Sequence, residues 1–259
     1  MGLEYEKAKS EIVKRINSLS PVHSLHKVFR DFTSLAAYTI SNRVDRQQYE
    51  SREAQYMNII KNYSRDEANL FAEMLALTTM GLDDRAGDLL GEVYMELEIS
   101  NRQAGQFFTS YDVAKLMAEM TVESTLEEIK VNGAITVNEP AVGGGVTIIA
   151  MAEALKEREI NYQKCMKVIC NDIDADLVKM CYVQLSLLGI DAIVARGDTI
   201  TQKFDGFWYT PIHVMNKAQE LKEQRTKAMT EKMQQITKEM DHIAIPVAEL
   251  KEPVQLSLF

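Results

Sequence analysis

The chain has 259 residues, 46% hydrophobic and 26% charged, with a formal net charge of −9. That length allows one large or two small domains with real cores, while the acidity is unexpected for a protein that grips DNA unaided, because phosphate neutralisation needs Lys and Arg, and leaves room only for local basic patches. Between Asn101 and Ile212 ten basic residues stand against fifteen acidic ones. No apolar run approaches the length of a membrane span and no signal peptide opens the chain, so the expectation is a soluble, cytoplasmic protein with no membrane partner.

Residues 1–98 read as a helical subdomain of about five elements. Pro and Gly are sparse there, and Val28, Phe32, Leu35, Ala36 and Ile40 recur at helical spacing. Pro21 after Ser20 marks a break, with a new helix starting nearby. Ser64 with Glu67 three residues later is a capping-box pattern ahead of Leu70, Phe71, Met74 and Leu75. Asp83-Asp84 precede a further helical stretch through Leu97. From Gly105 the pattern changes. Tyr111–Met120 reads as a helix, followed by strands at Ala134–Asn138, Val168–Asp172, Ala192–Ala195 and Phe204–Tyr209, with helices at Val146–Glu157 and Asp176–Leu188 between them. Such alternation implies right-handed βαβ units and a parallel sheet of about four strands. After Pro211 the sheet pattern stops. Residues 214–243 form a long amphipathic helix in which Met229, Met233, Ile236, Met240 and Ile243 follow a 4-3-4-3 spacing. That seam packs on its own domain or, as a short heptad run, on a second copy. Residues 244–259, with Pro246 and Pro253, read as an extended tail.

The chemistry concentrates at Glu139-Pro140-Ala141-Val142-Gly143-Gly144-Gly145, between the first strand and a helix. A strand, a glycine-rich turn and a helix N-terminus make a nucleotide-type cofactor site: the turn lets a ligand approach the backbone, and the helix start offers free N–H groups. About one βαβ unit later Asp172 ends a strand, where a carboxylate can accept both hydroxyls of a ribose, and Ile173 can pack on a base. Asp198 stands as a further acceptor after the third strand. Taken alone, either acid reads equally as a cap or turn residue. Cys165, Cys170 and Cys181 lack a CxxC pair and read as buried thiols, and the four His residues show no ligand spacing, so no metal is expected.

Five patches in order resemble N6-adenine DNA methyltransferases, particularly the modification subunits of type I restriction systems of bacteria and phage. Asp88-Leu89-Leu90-Gly91-Glu92-Val93-Tyr94 looks like that family's lead-in, and Gly105-Gln106-Phe107-Phe108-Thr109-Ser110 like its GQF(F/Y)TP motif. Glu139–Gly145 looks like (D/E)PACGSG, Asn171-Asp172-Ile173-Asp174 like the end of its second strand, and Gly197-Asp198-Thr199 like its third acidic turn. The resemblance implies a Rossmann-like methyltransferase sheet, truncated here, over residues 99–213. It implies S-adenosylmethionine held by Phe108, Thr109, Glu139, Ala141, Gly143, Gly145, Asp172, Ile173 and Asp198, and an active member would be a site-specific adenine DNA-methyltransferase. It also implies DNA as a partner, reached with the help of a specificity subunit or a second copy. The family's catalytic (N/D/S)PP(Y/F) motif reads Tyr209-Thr210-Pro211-Ile212 here. Tyr209 and Pro211 would line the target-base pocket, but the amide that orients the target amine is missing, so lost or strongly altered methyl transfer is expected. The last residues, Gln255-Leu256-Ser257-Leu258-Phe259, look like the peptide by which bacterial proteins bind the DNA polymerase sliding clamp. An extended segment with Leu256, Leu258 and Phe259 suits apolar pockets, with Gln255 at the edge. The alternative function is therefore a non-catalytic, methyltransferase-derived binding protein recruited to the clamp.

Overall fold

The computed structural model describes residues 3–97 and 109–243. Five helices open the chain: α1 (Leu3–Leu19), α2 (Leu25–Val44), α3 (Tyr49–Ile60), α4 (Arg65–Asp84) and α5 (Leu89–Glu96). Their starts are chemically marked. The Ser24 hydroxyl accepts from the Lys27 N–H at the start of α2. Ser64 and Glu67 form the reciprocal capping box of α4, at 3.3 and 2.7 Å.

The alternating part runs α6 (Tyr111–Asn132), β1 (Ile135–Glu139), α7 (Val146–Glu157), α8 (Tyr162–Cys165), β2 (Met166–Asp172), α9 (Ala175–Leu187), β3 (Asp191–Asp198) and β4 (Lys203–Tyr209), before α10 (Pro211–Ile243). The sheet order is β1-β2-β3-β4. β1, β2 and β3 are parallel, as helical crossovers require. β4 departs from the expected parallel arrangement and runs antiparallel to β3. The reason is chain length: only Thr199–Gln202 separate the two strands, and a parallel return needs a crossover of about a dozen residues or more. The α/β class with a helical N-terminal part stands, with a mixed sheet of four strands among the described residues.

Residues 1–216 form one compact unit, and the boundary expected near residue 98 falls outside the described residues. Phe32 and Leu35 of α2 share a cluster with Val178 and Tyr182 of α9 and Trp208 of β4. Polar cross-links run the same way: Lys179 Nζ donates to Ser34 Oγ at 3.0 Å. The second unit begins at Lys217, and its described part is helical. Met229 and Met233 there are exposed. α10 itself starts at Pro211, a first-turn position suited to proline, rather than at 214.

A buried ion pair closes the β4 side. Arg52 donates through Nη1 to Asp45 at 2.8 Å and to Ser41 Oγ, and through Nη2 to the Phe207 carbonyl at 2.8 Å. Its guanidinium lies 4.0 Å from the centroid of the Trp208 ring. Arg52→Ala strands Asp45 in a buried site and is expected to cost about 3–5 kcal/mol. Urea denaturation followed by Trp208 emission, from the chain's one Trp, measures it directly.

At the start of β3, Asp191 Oδ1 lies 2.7 Å from His213 Nδ1, and Asp191 Oδ2 accepts from Asn216 Nδ2 at 2.7 Å. Burial works against the charged carboxylate, but the contacts with His213 and Asn216 outweigh it and hold the pKa below its ordinary value. Such a group stabilises the fold above its unfolded pKa of about 3.9, and the contribution fades as pH falls toward the depressed folded value. The stability gap between wild type and Asp191→Asn should be constant near neutrality and narrow below about pH 4.

Candidate cofactor site

The turn after β1 has one open and one closed side. Gly143 has φ 54° and Gly145, the N-cap of α7, has φ 103°, backbone that side chains other than glycine rarely adopt. A Cβ placed on Gly143 would meet nothing within 4 Å, so that side can admit a ligand against the backbone. A Cβ on Gly144 would come within 2.5 Å of Met180 Cε and 3.3 Å of Asp88 Oδ1, and one on Gly145 within 3.2 Å of Cys181 Sγ. The closed side rests on α9 and on the residue that starts α5.

Asp172 ties the turn to the next strand. Its Oδ2 accepts from the Gly143 N–H at 2.9 Å and its Oδ1 from the Asp174 N–H at 2.9 Å. Glu139 accepts from the Ala141 N–H at 3.2 Å and from Thr147 Oγ1 at 3.1 Å, which bends the chain directly into α7. Ile173 is 70% exposed beside these groups. Glu139, Ala141, Gly143, Gly145, Asp172 and Ile173 are therefore gathered at the carboxyl ends of β1 and β2.

The remaining candidates are placed differently. Asp198 accepts through Oδ1 from the Ile200 N–H at 2.8 Å and the Thr201 N–H at 3.4 Å, closing the β3–β4 hairpin. Those hydrogen bonds, Ile200's first, lower its pKa. Thr109 is exposed immediately before Ser110, the N-cap of α6. Phe108 and Gln255, Leu256, Ser257, Leu258 and Phe259 lie outside the described residues. Tyr209 and Pro211 are not brought to the turn. Tyr209 pairs with Ile193, five residues before Asp198 along β3, which puts it about 16 Å toward the amino end of the parallel strands. The antiparallel course of β4 is the cause. Tyr209 instead stacks on His213, with centroids 5.6 Å apart. The intervening Thr210 is fully buried, and its Oγ1 donates to the Ile190 carbonyl at 2.7 Å and accepts from the Ala192 N–H at 3.0 Å.

Two residues of the site carry roles that pattern reading missed. Asn171 Nδ2 donates to Thr199 Oγ1 at 2.7 Å and to the carbonyls of Pro140 at 3.1 Å and Gly197 at 3.4 Å, stapling the ends of three strands. Gln184, fully buried, donates through Nε2 to Asp88 Oδ1 at 2.7 Å and to the Gly144 carbonyl at 2.9 Å, and accepts from the Leu90 N–H at 2.9 Å. Its one sequence signal is a lone amide in the apolar run of α9.

The profile of the N-6 DNA Methylase family matches residues 85–215, just over half of the chain, and the chain belongs to that family. Among solved structures it is similar to a protein from Listeria monocytogenes described as a class I S-adenosylmethionine-dependent methyltransferase, at 14% identity and TM-score 0.41, over 74% of this chain and 54% of that one. It is also similar to a type I restriction-modification methyltransferase subunit from Streptococcus thermophilus, at 12% identity and TM-score 0.39, over 77% of this chain and 60% of that one. The chain thus spans between half and three fifths of the length of these structures. No curated protein matches it.

Burial pushes the Asp88 carboxyl up in pKa, and the hydrogen bonds from Gln184 and Gly91 only partly offset this. A raised carboxyl pKa stabilises most below its unfolded value, about 3.9, and loses ground as pH rises toward the folded value. Asp88→Asn keeps an Oδ1 acceptor for both donors, so its stability relative to wild type should rise with pH. Asp88→Ala strands the Gln184 amide and the Gly91 N–H and should be less stable than Asp88→Asn by about 1–3 kcal/mol at any pH. Thermal denaturation of both variants from about pH 4, near the ordinary carboxyl value, up to about pH 8 separates the two effects.

Proposed function

We propose that this chain binds S-adenosylmethionine at the Glu139–Gly145 turn, works at DNA with the help of a partner protein, and does not itself methylate adenine. The observation that carries the first part is the open Gly143 turn, tied through its N–H to the Asp172 carboxylate. The residues fit the group. Gly143 and Gly145 allow backbone approach to the methionine end, and Glu139 suits its ammonium. Each Asp172 oxygen accepts one N–H and keeps a second acceptor site for a ribose hydroxyl. Ile173 would pack on the adenine, Asp198 would accept from its amino group, and Thr109 would lie toward the methionine end, the place the family resemblance also gives Phe108. The cofactor supplies an electrophilic methyl group when bound.

The absence of transfer by this chain is supported by the place of Tyr209 and Pro211, at the far end of the sheet from the turn. Thr210 is committed to the start of β3 by its hydroxyl. A specificity subunit or a second copy supplies the positive surface that a chain of net charge −9 lacks.

A second reading rests on Gln255–Phe259: a methyltransferase-derived binding protein recruited to the bacterial sliding clamp. The two readings are compatible and separately testable. Calorimetric titration with S-adenosylmethionine should show one-site binding that is lost in Asp172→Ala; absence of binding to the wild type overturns the first reading. Labelled methyl groups should not enter unmethylated DNA, with or without candidate subunits, and incorporation would refute the non-catalytic assignment. Deleting Gln255–Phe259 should abolish association with purified clamp; equal binding by both forms rules the recruitment out.

A further inference from the structure

A cavity of about 470 Å³ lies along the outer side of β4. One wall is continuous strand, Phe204 to Tyr209, and the facing wall is Gln48, Ser51, Arg52 and Gln55 of the α3 segment. That stretch of strand is about 17 Å long, so the mean cross-section is roughly 28 Å², the proportions of a single extended chain. β4 is an edge of the sheet. The Thr210 N–H donates to the Ala192 carbonyl at 3.1 Å, which makes these two a hydrogen-bonded pair. Pairs alternate along an antiparallel ladder, so Trp208 also faces β3, whereas Phe207 and Tyr209 turn their N–H and C=O groups outward. The Phe207 carbonyl is already taken on that side by Arg52 Nη2 at 2.8 Å, which leaves the Phe207 N–H and both backbone groups of Tyr209 for a further strand.

The charges of the slot decide what suits it. Arg52 and Asp45, both buried, neutralise each other at 2.8 Å. Asp205 at one end is paired with Arg196 at 3.5 Å, and Gln48, Ser51 and Gln55 are neutral hydrogen-bonding groups. Phe204 and Phe207, 40% and 45% exposed, offer apolar anchors along the same strand. We propose that the slot between α3 and β4 binds an extended, uncharged peptide segment of a partner protein, which adds to the sheet as a strand beside β4. Backbone hydrogen bonds then give affinity, and alternate side chains against Phe204, Phe207 and Tyr38 give selectivity.

The test uses the full chain. Linear octapeptides displayed on phage are selected on it, and the enriched sequences are synthesised. The expected result is that they shift Trp208 emission and that N-methylation at alternate residues abolishes binding in one of the two registers. Two substitutions should each weaken binding by about tenfold or more, which is roughly 1.4 kcal/mol. Ser51→Phe fills the slot from an exposed helix position. Phe207→Pro removes an outward N–H without cutting a β3–β4 bond. If Phe207→Pro does not fold by circular dichroism, Ser51→Phe and the N-methylated peptides decide. Failure to enrich any peptide, binding indifferent to Ser51→Phe and to N-methylation, or displacement of the peptides by a single-stranded oligonucleotide that itself shifts Trp208 would overturn the proposal.

Discussion

The buried amide of Gln184 holds together the three parts on which the turn depends. One side chain engages the Leu90 N–H of α5, the Asp88 carboxylate that caps α5, and the Gly144 carbonyl of the turn. Each of these groups is buried, so leaving any one unpaired costs about 1–3 kcal/mol. The helical N-terminal segment is thereby not an appendage. Its last helix supplies the floor of the glycine turn, which explains why residues 1–216 share one core. Asp88 stays in this apolar setting although its charge is disfavoured there, because its Oδ1 is the one acceptor that both Gln184 and Gly91 reach.

On the opposite side of the turn the constraint is backbone economy. Asn171 and Thr199 gather the ends of β1, β2 and β3 on the Pro140 and Gly197 carbonyls. Asp198 then spends an oxygen on the hairpin amides. With only a short link left, the chain turns back along β3, and β4 travels away from the turn. The same hairpin that finishes the cofactor side removes Tyr209 and Pro211 from it.

Much of this was legible in the chain itself. Val146–Glu157 is helical over the predicted span because a glycine turn starts it and an apolar face sustains it, and the Ser64–Glu67 box was readable from spacing alone. The gathering of Glu139, Gly143 and Asp172 followed from the order strand, turn, helix, strand. The direction of β4 was also present, in the few residues after Asp198, but alternation of strand and helix patterns masked it. The unity of the first 216 residues could not be read from one dimension, since the contacts of Ser34 with Lys179 and of Arg52 with Phe207 join positions more than a hundred residues apart. Gln184 escaped for a related reason: a lone amide in an apolar helix announces burial without naming its partners.

The order of the strands carries one more consequence. β1-α7-β2 and β2-α9-β3 step across the sheet in the same direction, so right-handed crossovers place α7 and α9 on one face. The close approach of Gly145 to Cys181 and Leu185 agrees with that, and Val168, Cys170, Val194 and Trp208 are buried beneath these helices. The alternate residues point the other way. Thr136, Asn138 and Lys167 are exposed there, together with Ile169 at 49% and Phe207 at 45%. Parallel sheets are ordinarily covered on both faces. Covering the second face from within requires a long crossover that reverses the strand order, and the hairpin after Asp198 takes its place.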